Sequence, residues 1–404
     1  MQKKDSFQAL GLSMDSLSAV QAKGFTQPSP IQEKVIPLLL AGNKNIMGQA
    51  QTGTGKTAAF GLPILEKIDP RAREVQALVL VPTRELAIQV AGELASLRGR
   101  KTVKILPVYG GQSIQPQIRG LQQGVQIVVG TPGRILDHLR QKTLRIHNLA
   151  YCILDEADEM LNMGFLEDVK KILSFTNTNK STLMFSATMP QEILSVARKY
   201  MGDFELVQMG EATLTVPQTD QTFIPVRDTE KYLTLCQLID HTPEFYGLVF
   251  CRTKHEARKL AKRLANQGYA ADSLHGNLTQ AQREKVMMRF RKSAVRILVA
   301  TDVASRGIDV MNLSHVINYA LPQDPESYVH RIGRTGRAGK AGKAVTFVGP
   351  NEDRKLRAIE KMIRIPIRKS SALSQAVPLQ AEPVKKNRFM DWRRSRTQVS
   401  ARTR

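Results

Sequence analysis

The octet Ala50-Gln51-Thr52-Gly53-Thr54-Gly55-Lys56-Thr57 constrains this chain more than any other stretch of it. Asn45-Ile46-Met47 leads into it as an apolar fragment, and Ala58-Ala59-Phe60-Gly61-Leu62 continues it as a predicted helix. Strand, glycine-rich turn and helix start are the setting that a phosphate-binding loop requires. Glycines let successive backbone N–H groups curl around an anion, and the helix N-terminus adds partial positive charge. Lys56 would reach the β- and γ-phosphates of a nucleotide, and the Thr57 hydroxyl would be a ligand for Mg²⁺. The generic pattern opens on Gly where this chain has Ala50. Gly-x-Gly turns before helices also serve packing alone, so the octet needs support from elsewhere.

The rest of the chain supplies it. At 404 residues the chain exceeds one ordinary core, so two domains are expected. Short continuous apolar runs mark the first half: Ala77 to Val81, Ile127 to Val129, Tyr151 to Leu154 and Thr182 to Phe185. Continuous rather than alternating runs are strands buried on both faces of a parallel sheet. Helical stretches such as Glu85 to Leu97 and Gly164 to Ser174 separate them. Gly247 to Phe250, Ile297 to Ala300, Val316 to Tyr319 and Ala344 to Val348 repeat the theme without a second phosphate loop, and a helix from Glu352 to Ile363 closes it. Periodicity lapses between Gly202 and Val216, which predicts a linker there. The division is therefore 1–208, a linker at 209–217, 218–369, and a basic disordered tail at 370–404. The fold class is α/β, each domain a mostly parallel sheet flanked by helices.

Net charge narrows the partners. The chain carries +23, of which 15 Lys/Arg against 5 Asp/Glu from Asn351 onward supply +10. Such an excess points to a polyanion, nucleic acid before membrane surface. No apolar run approaches the ~20 residues that span a bilayer, and no apolar segment of signal-peptide type follows Lys3-Lys4. Cys152, Cys236 and Cys251 are odd in number and lack metal-ligand spacing, so they read as buried reduced thiols of a cytoplasmic protein.

Asp155-Glu156-Ala157-Asp158 follows the run Tyr151 to Leu154. A carboxylate at a strand tip beside a phosphate loop can hold Mg²⁺, and Asp155 fits; Glu156 is placed to orient or deprotonate attacking water. Acidic residues are also common at helix starts. Here the chain resembles the DEAD-box ATP-dependent RNA helicases, in a compact, bacterial-type form. Gly24-Phe25 through Pro28-Ser29-Pro30-Ile31-Gln32, with Phe7 upstream, is similar to the family's Q motif. Pro82-Thr83-Arg84-Glu85-Leu86-Ala87, Gly110-Gly111 and Thr131-Pro132-Gly133-Arg134 are similar to its first-lobe RNA-contacting motifs, and Ser186-Ala187-Thr188 to its coupling motif. Val249 to Thr253, Gln280 with Arg283, Ala300 to Asp302 through Arg306-Gly307-Ile308-Asp309, and His330 to Arg337 follow in the family's order.

The resemblance implies two tandem RecA-like domains with ATP and Mg²⁺ between them. Gln32 would read the adenine edge, Phe25 would stack on its face, and residues 51–57 would hold the phosphates. Asp309 would hold the ribose, and Arg334 and Arg337 would be arginine fingers. RNA would meet Pro82, Thr83, Arg84, Gly110, Gly111, Thr131, Gly133 and Arg134 on one lobe, and Arg252, Thr301 and Arg306 on the other. Such contacts are blind to base sequence but sensitive to the 2′-hydroxyl. Ser186, Thr188, Asp158 and His330 would couple the lobes. A monomer acting on single-stranded RNA and short duplexes is expected, with ribosomal or RNA-decay assemblies as settings. An ATP-gated RNA clamp and a DNA translocase are the alternatives. The tail segment 385–396 holds six Lys/Arg with Phe389 and Trp392, a composition suited to anchoring RNA.

Overall fold

The computed structural model describes residues 6–42, 44–50, 53–208, 219–305, 313–336 and 342–370. The tail expectation, including Phe389 and Trp392, lies outside them. The first half forms β1 Ile46–Gln49, β2 Ala77–Leu80, β3 Ile105–Val108, β4 Ile127–Gly130, β5 Tyr151–Leu154, β6 Ser181–Ser186 and β7 Glu205–Gln208. The second forms β8 Thr219–Pro225, β9 Gly247–Phe250, β10 Ala271–Leu274, β11 Ile297–Ala300, β12 His315–Asn318, β13 Gly342–Val348 and β14 Arg368–Lys369. They build two seven-stranded sheets, ordered β3-β4-β2-β5-β6-β1-β7 and β10-β11-β9-β12-β13-β8-β14. Every strand pairing among the described residues is parallel.

The apolar runs explain both faces. Ala77 and Val79 enter one core while Leu78 and Leu80 enter the other, because successive strand side chains point to opposite sides. Ile153 parts from Cys152 and Leu154 in the same way, as do Val249 and Cys251 from Leu248 and Phe250. Helices therefore cover both faces of each sheet, and burying one such side chain contributes ~1.5–3 kcal/mol. Gly48 is required by this packing: a Cβ there would lie 2.7 Å from the Phe185 ring.

Three expectations need correction. Glu205–Gln208, inside the stretch read as linker from Gly202, is an edge strand paired in parallel with β1. Only Val207 of the four is buried, so the strand left no apolar run to read. Residues 209–218 lie outside the described residues. The expected helix from Gly164 begins at Leu166, because Gly164 takes a left-handed φ of 78° after the Ala157–Asn162 helix. Finally, Cys152 and Cys251 are buried but Cys236 is only half-buried. Burial pushes the Cys152 thiol up to about 12, consistent with an inert core residue. No described helix is long and apolar enough to cross a membrane.

Candidate active site between the lobes

β1 runs into the phosphate loop, and the Lys56–Lys67 helix starts directly after it. Gly53 and Gly55 hold φ of 81° and 87°, conformations that side chains resist. A Cβ on Gly55 would also overlap the Gln32 amide. Gln32 is buried and already engaged: its Oε1 accepts the Ser29 N–H at 2.8 Å, and its Nε2 donates to the Gly55 carbonyl at 3.1 Å. An amide has two N–H groups and two lone pairs, so one of each remains for a base edge. Phe25 is 36% exposed and stacks on Phe7 at 6.4 Å, leaving its other face available. Gln51 and Thr52 lie outside the described residues.

Lys56 Nζ lies 3.3 Å from Asp155 Oδ1, with both side chains buried. Burial alone would lower the Lys56 pKa, but the charges of Asp155, Glu156 and Asp158 outweigh it and hold the ammonium above its usual value. Thr57, half-buried in the first helical turn, stands one residue on. Among the described residues no three His, Cys, Asp or Glu side chains form a metal cluster. Mg²⁺ needs none: one or two carboxylates with phosphate and water oxygens satisfy it, and Thr57 with Asp155 fit that donor set.

Glu156 has φ 53° and ψ 53°, left-handed backbone that costs a non-glycine residue ~1–3 kcal/mol. It is buried, and burial raises its carboxyl pKa, moving it toward the range of a working base. Asp158 ties the acidic turn to the end of β6. Its Oδ2 accepts the N–H groups of Ala187 and Thr188 at 3.1 and 2.9 Å and the Thr188 hydroxyl at 3.1 Å. Its own N–H donates to Ser186 Oγ at 3.1 Å.

The second lobe completes the cleft. Lys56, Glu156, Asp158, Glu159 and Ala187 line it from one side, His330 and Arg334 from the other. His330 Nδ1 pairs with Glu159 Oε1 at 2.5 Å. Arg331, in the same basic run, turns inward instead. It grips Asp302 through Nε and Nη2 at 2.5 and 2.7 Å and donates to the Ala320 carbonyl at 2.7 Å. This buried fork fixes the Pro325–Ile332 helix, so that Arg334 follows into the cleft. A second crossing joins the lobes: Arg84 donates to Gln280 at 2.7 Å, and Arg283 pairs with Glu85 at 2.5 Å. Arg306, Asp309 and Arg337 lie outside the described residues.

The remaining expected contacts divide. Pro82 and Thr83 are buried, and the Thr83 hydroxyl accepts the Leu86 N–H as a helix cap, so they offer a partner backbone only. Gly110, Gly133, Thr131 and Thr301 are partly open, and Gly111 has φ 84° with the Arg84 guanidinium beside it. Arg134 is held by the Gln112 carbonyl at 2.9 Å. Arg252 is exposed and pairs with Glu352 at 3.1 Å. Sequence reasoning missed Glu159, whose partner His330 lies on the other lobe, the buried Gln117, and the pairing of the half-buried Asp302 with Arg331. Glu159 sits directly after the acidic turn, but only the closed arrangement reveals its use.

The profile described as DEAD/DEAH box helicase matches residues 29–196, and that described as helicase conserved C-terminal domain matches 230–339. A probable ATP-dependent RNA helicase of Methanocaldococcus jannaschii is 52% identical, covering 90% of this chain and 97% of that one. The DEAD-box ATP-dependent RNA helicase CshA of Geobacillus kaustophilus is 51% identical over 88% of this chain and 76% of its own. Among solved structures, S. cerevisiae Dbp5 bound to RNA and ADP BeF3 is 31% identical, with TM-score 0.81 over 91% of this chain and 95% of that one. A DEAD box protein from the hyperthermophile Methanococcus jannaschii, 50% identical over 91% of this chain and all of that one, scores only 0.54.

Proposed function

The chain belongs to the DEAD-box helicase family, and from that premise we propose that it closes on RNA with ATP and uses hydrolysis to reopen, releasing strands of short duplexes. The observation that carries this reading is the divided cleft. Lys56 and Glu156 come from one lobe, His330 and Arg334 from the other, so the complete site exists only when the lobes meet. Lys56 and the loop N–H groups bind the phosphates, Gln32 and Phe25 take the adenine, and Glu156 holds the attacking water. Arg334, with Arg337, offsets charge as the γ-phosphate leaves. Thr57 and Asp155 would hold Mg²⁺, which would supply charge neutralisation at the phosphates.

RNA lies across both lobes, touching Arg84, Gly110, Gly111, Thr131, Gly133 and Arg134, then Arg252, Thr301 and Arg306, through phosphates and 2′-hydroxyls. The Arg84–Gln280 and Glu85–Arg283 contacts join the lobes beside that path, so RNA binding and closure reinforce each other. The protein acts as a monomer in the cytoplasm on RNA of any sequence, and ribosome assembly or RNA decay are settings that fit. The alternative, an ATP-gated clamp, shares every one of these residues. ATPase assays with matched RNA and DNA, together with displacement of a short RNA duplex, separate the readings. The expected result is stimulation by RNA alone with ATP-dependent strand release. Stimulation without release would favour the clamp, and equal stimulation by DNA the translocase.

The Glu159–His330 pair makes closure pH-dependent. Burial alone lowers the His330 pKa, but the hydrogen bond and charge of Glu159, then Asp158 and Glu156, outweigh it and raise the value; Lys56 and Arg334 line the same cleft. A pKa raised on closing means that closure takes up a proton. The contribution is complete below the ordinary value of ~6.5 and is lost as pH rises through the raised one. Single-stranded RNA affinity in the presence of a non-hydrolysable ATP analogue should therefore fall as pH rises, and His330→Gln should flatten the profile. A wild-type profile as flat as that of the variant would contradict the role of the pair.

A further inference from the structure

We infer that His138, fully buried in the Pro132–Arg140 helix, positions Arg134 for RNA by orienting the side chain of Gln117. The inference rests on the reading of Arg134 as an RNA contact and adds a residue that no motif identifies.

The geometry fixes every hydrogen in the relay. Gln117 is buried; its Nε2 donates to the Tyr109 carbonyl at 2.9 Å, and its Oε1 accepts Arg134 Nη1 at 3.2 Å. The amide cannot be reversed, because reversal would face its NH₂ to the guanidinium and its oxygen to a carbonyl. His138 Nε2 lies 3.1 Å from that same Oε1, so it must carry a hydrogen and donate. Burial, then the charge of Arg134, holds the ring pKa below the usual value, so the imidazole is neutral and its Nδ1 is bare. The Thr143 hydroxyl lies 2.8 Å from Nδ1 and 3.2 Å from the His138 carbonyl, which already accepts the Thr143 N–H at 3.0 Å. A bare Nδ1 can only accept, so the hydroxyl donates to it across the shorter 2.8 Å contact rather than to the carbonyl at 3.2 Å. The chain runs Thr143 O–H to His138, His138 Nε2–H to Gln117, and Gln117 to both Tyr109 and Arg134.

This relay has a consequence for binding. The Tyr109 carbonyl immediately precedes Gly110-Gly111, and Arg134 also donates to the Gln112 carbonyl beyond them at 2.9 Å. One buried amide thus locks two RNA-facing loops into a single surface, with the arginine fork pre-set for a phosphate. Without the His138 donor, Gln117 Oε1 keeps Arg134 as its one side-chain partner, and the amide is anchored otherwise only through its Nε2 at the Tyr109 carbonyl.

Four variants of the full chain test this: His138→Leu, which keeps bulk but removes the donor, His138→Gln, which restores an N–H near the Nε2 position, Arg134→Ala, and the His138→Leu/Arg134→Ala double variant. Binding of a single-stranded oligonucleotide is measured against salt. His138→Leu should weaken RNA about three- to tenfold, the scale of one lost hydrogen bond. It should also shallow the log K against log[salt] slope by ~0.7, the value for one phosphate contact to a single strand. His138→Gln should recover most of the loss, and the double variant should bind no worse than Arg134→Ala alone. Additive losses in the double variant would overturn the inference, marking His138 as a packing residue. Should Arg134→Ala itself leave RNA affinity unchanged, the RNA reading of Arg134 fails and the inference with it; a loss there without one in His138→Leu sinks the inference alone. If His138→Leu fails to fold, the ring nitrogens of the wild-type protein decide by NMR. An Nε2–H tautomer is expected, and an Nδ1–H tautomer would reverse the relay and overturn it.

Discussion

Lys56→Ala is expected to abolish nearly all ATP turnover while the protein stays folded, and Glu156→Gln to abolish it by a different route. Lys56 is buried beside Asp155, yet it lines the polar cleft with Glu156, Asp158 and Glu159 rather than an apolar core. Removing it deletes the phosphate contact and leaves Asp155, Glu156 and Asp158 without the cation that balances them. Nucleotide affinity should fall together with kcat. Glu156→Gln keeps the shape of the turn and the Thr57–Asp155 donor pair but cannot accept the proton of water. ATP should still bind, and the RNA-gripping closed state should persist because the step that reopens it is lost. Equilibrium nucleotide binding and single-turnover hydrolysis separate the two. If Glu156→Gln loses ATP affinity as severely as Lys56→Ala, the division of roles between these neighbours is wrong.

Arg334→Ala should lower kcat far more strongly than it weakens RNA binding by the full chain. Arg334 shares the cleft with Lys56 and Glu156 but belongs to the other lobe, positioned by the buried Arg331–Asp302 fork just before it. A guanidinium acting on charge that develops during phosphoryl transfer contributes ~2–5 kcal/mol to the transition state. Kinetics at saturating RNA and ATP should therefore show the whole effect in kcat. Equal losses in RNA affinity and kcat would instead identify Arg334 as a phosphate-backbone contact.

How much of this was legible beforehand depends on where each partner lies. The buried strands announced themselves because both faces are apolar, as in Ala77 to Val81, and the phosphate loop because its glycines and Lys56 are contiguous. Edge strands left no such trace: Glu205–Gln208 buries one residue, and Arg368–Lys369 is exposed at both positions. The same limit applies to the site. Asp155 and Glu156 could be read locally, but the Glu159–His330 and Glu85–Arg283 pairs join residues that meet only when two lobes close. Arg331 shows the reverse problem, since a basic run does not reveal which arginine faces inward until Asp302 is seen beneath it. His138 gave no signal in the sequence, because its partners come from the Gln115–Gln122 helix and from Thr143 beyond its own helix.

The central claim is that ATP and RNA together, and neither alone, join two half-sites into one. Fluorophores on exposed positions of the two lobes report it directly as an inter-lobe distance in the full chain. Short distance is expected only when a non-hydrolysable ATP analogue and single-stranded RNA are both present, with a long distance for either ligand alone. A chain that closes fully on nucleotide without RNA, or that keeps one distance under all conditions, would contradict the account.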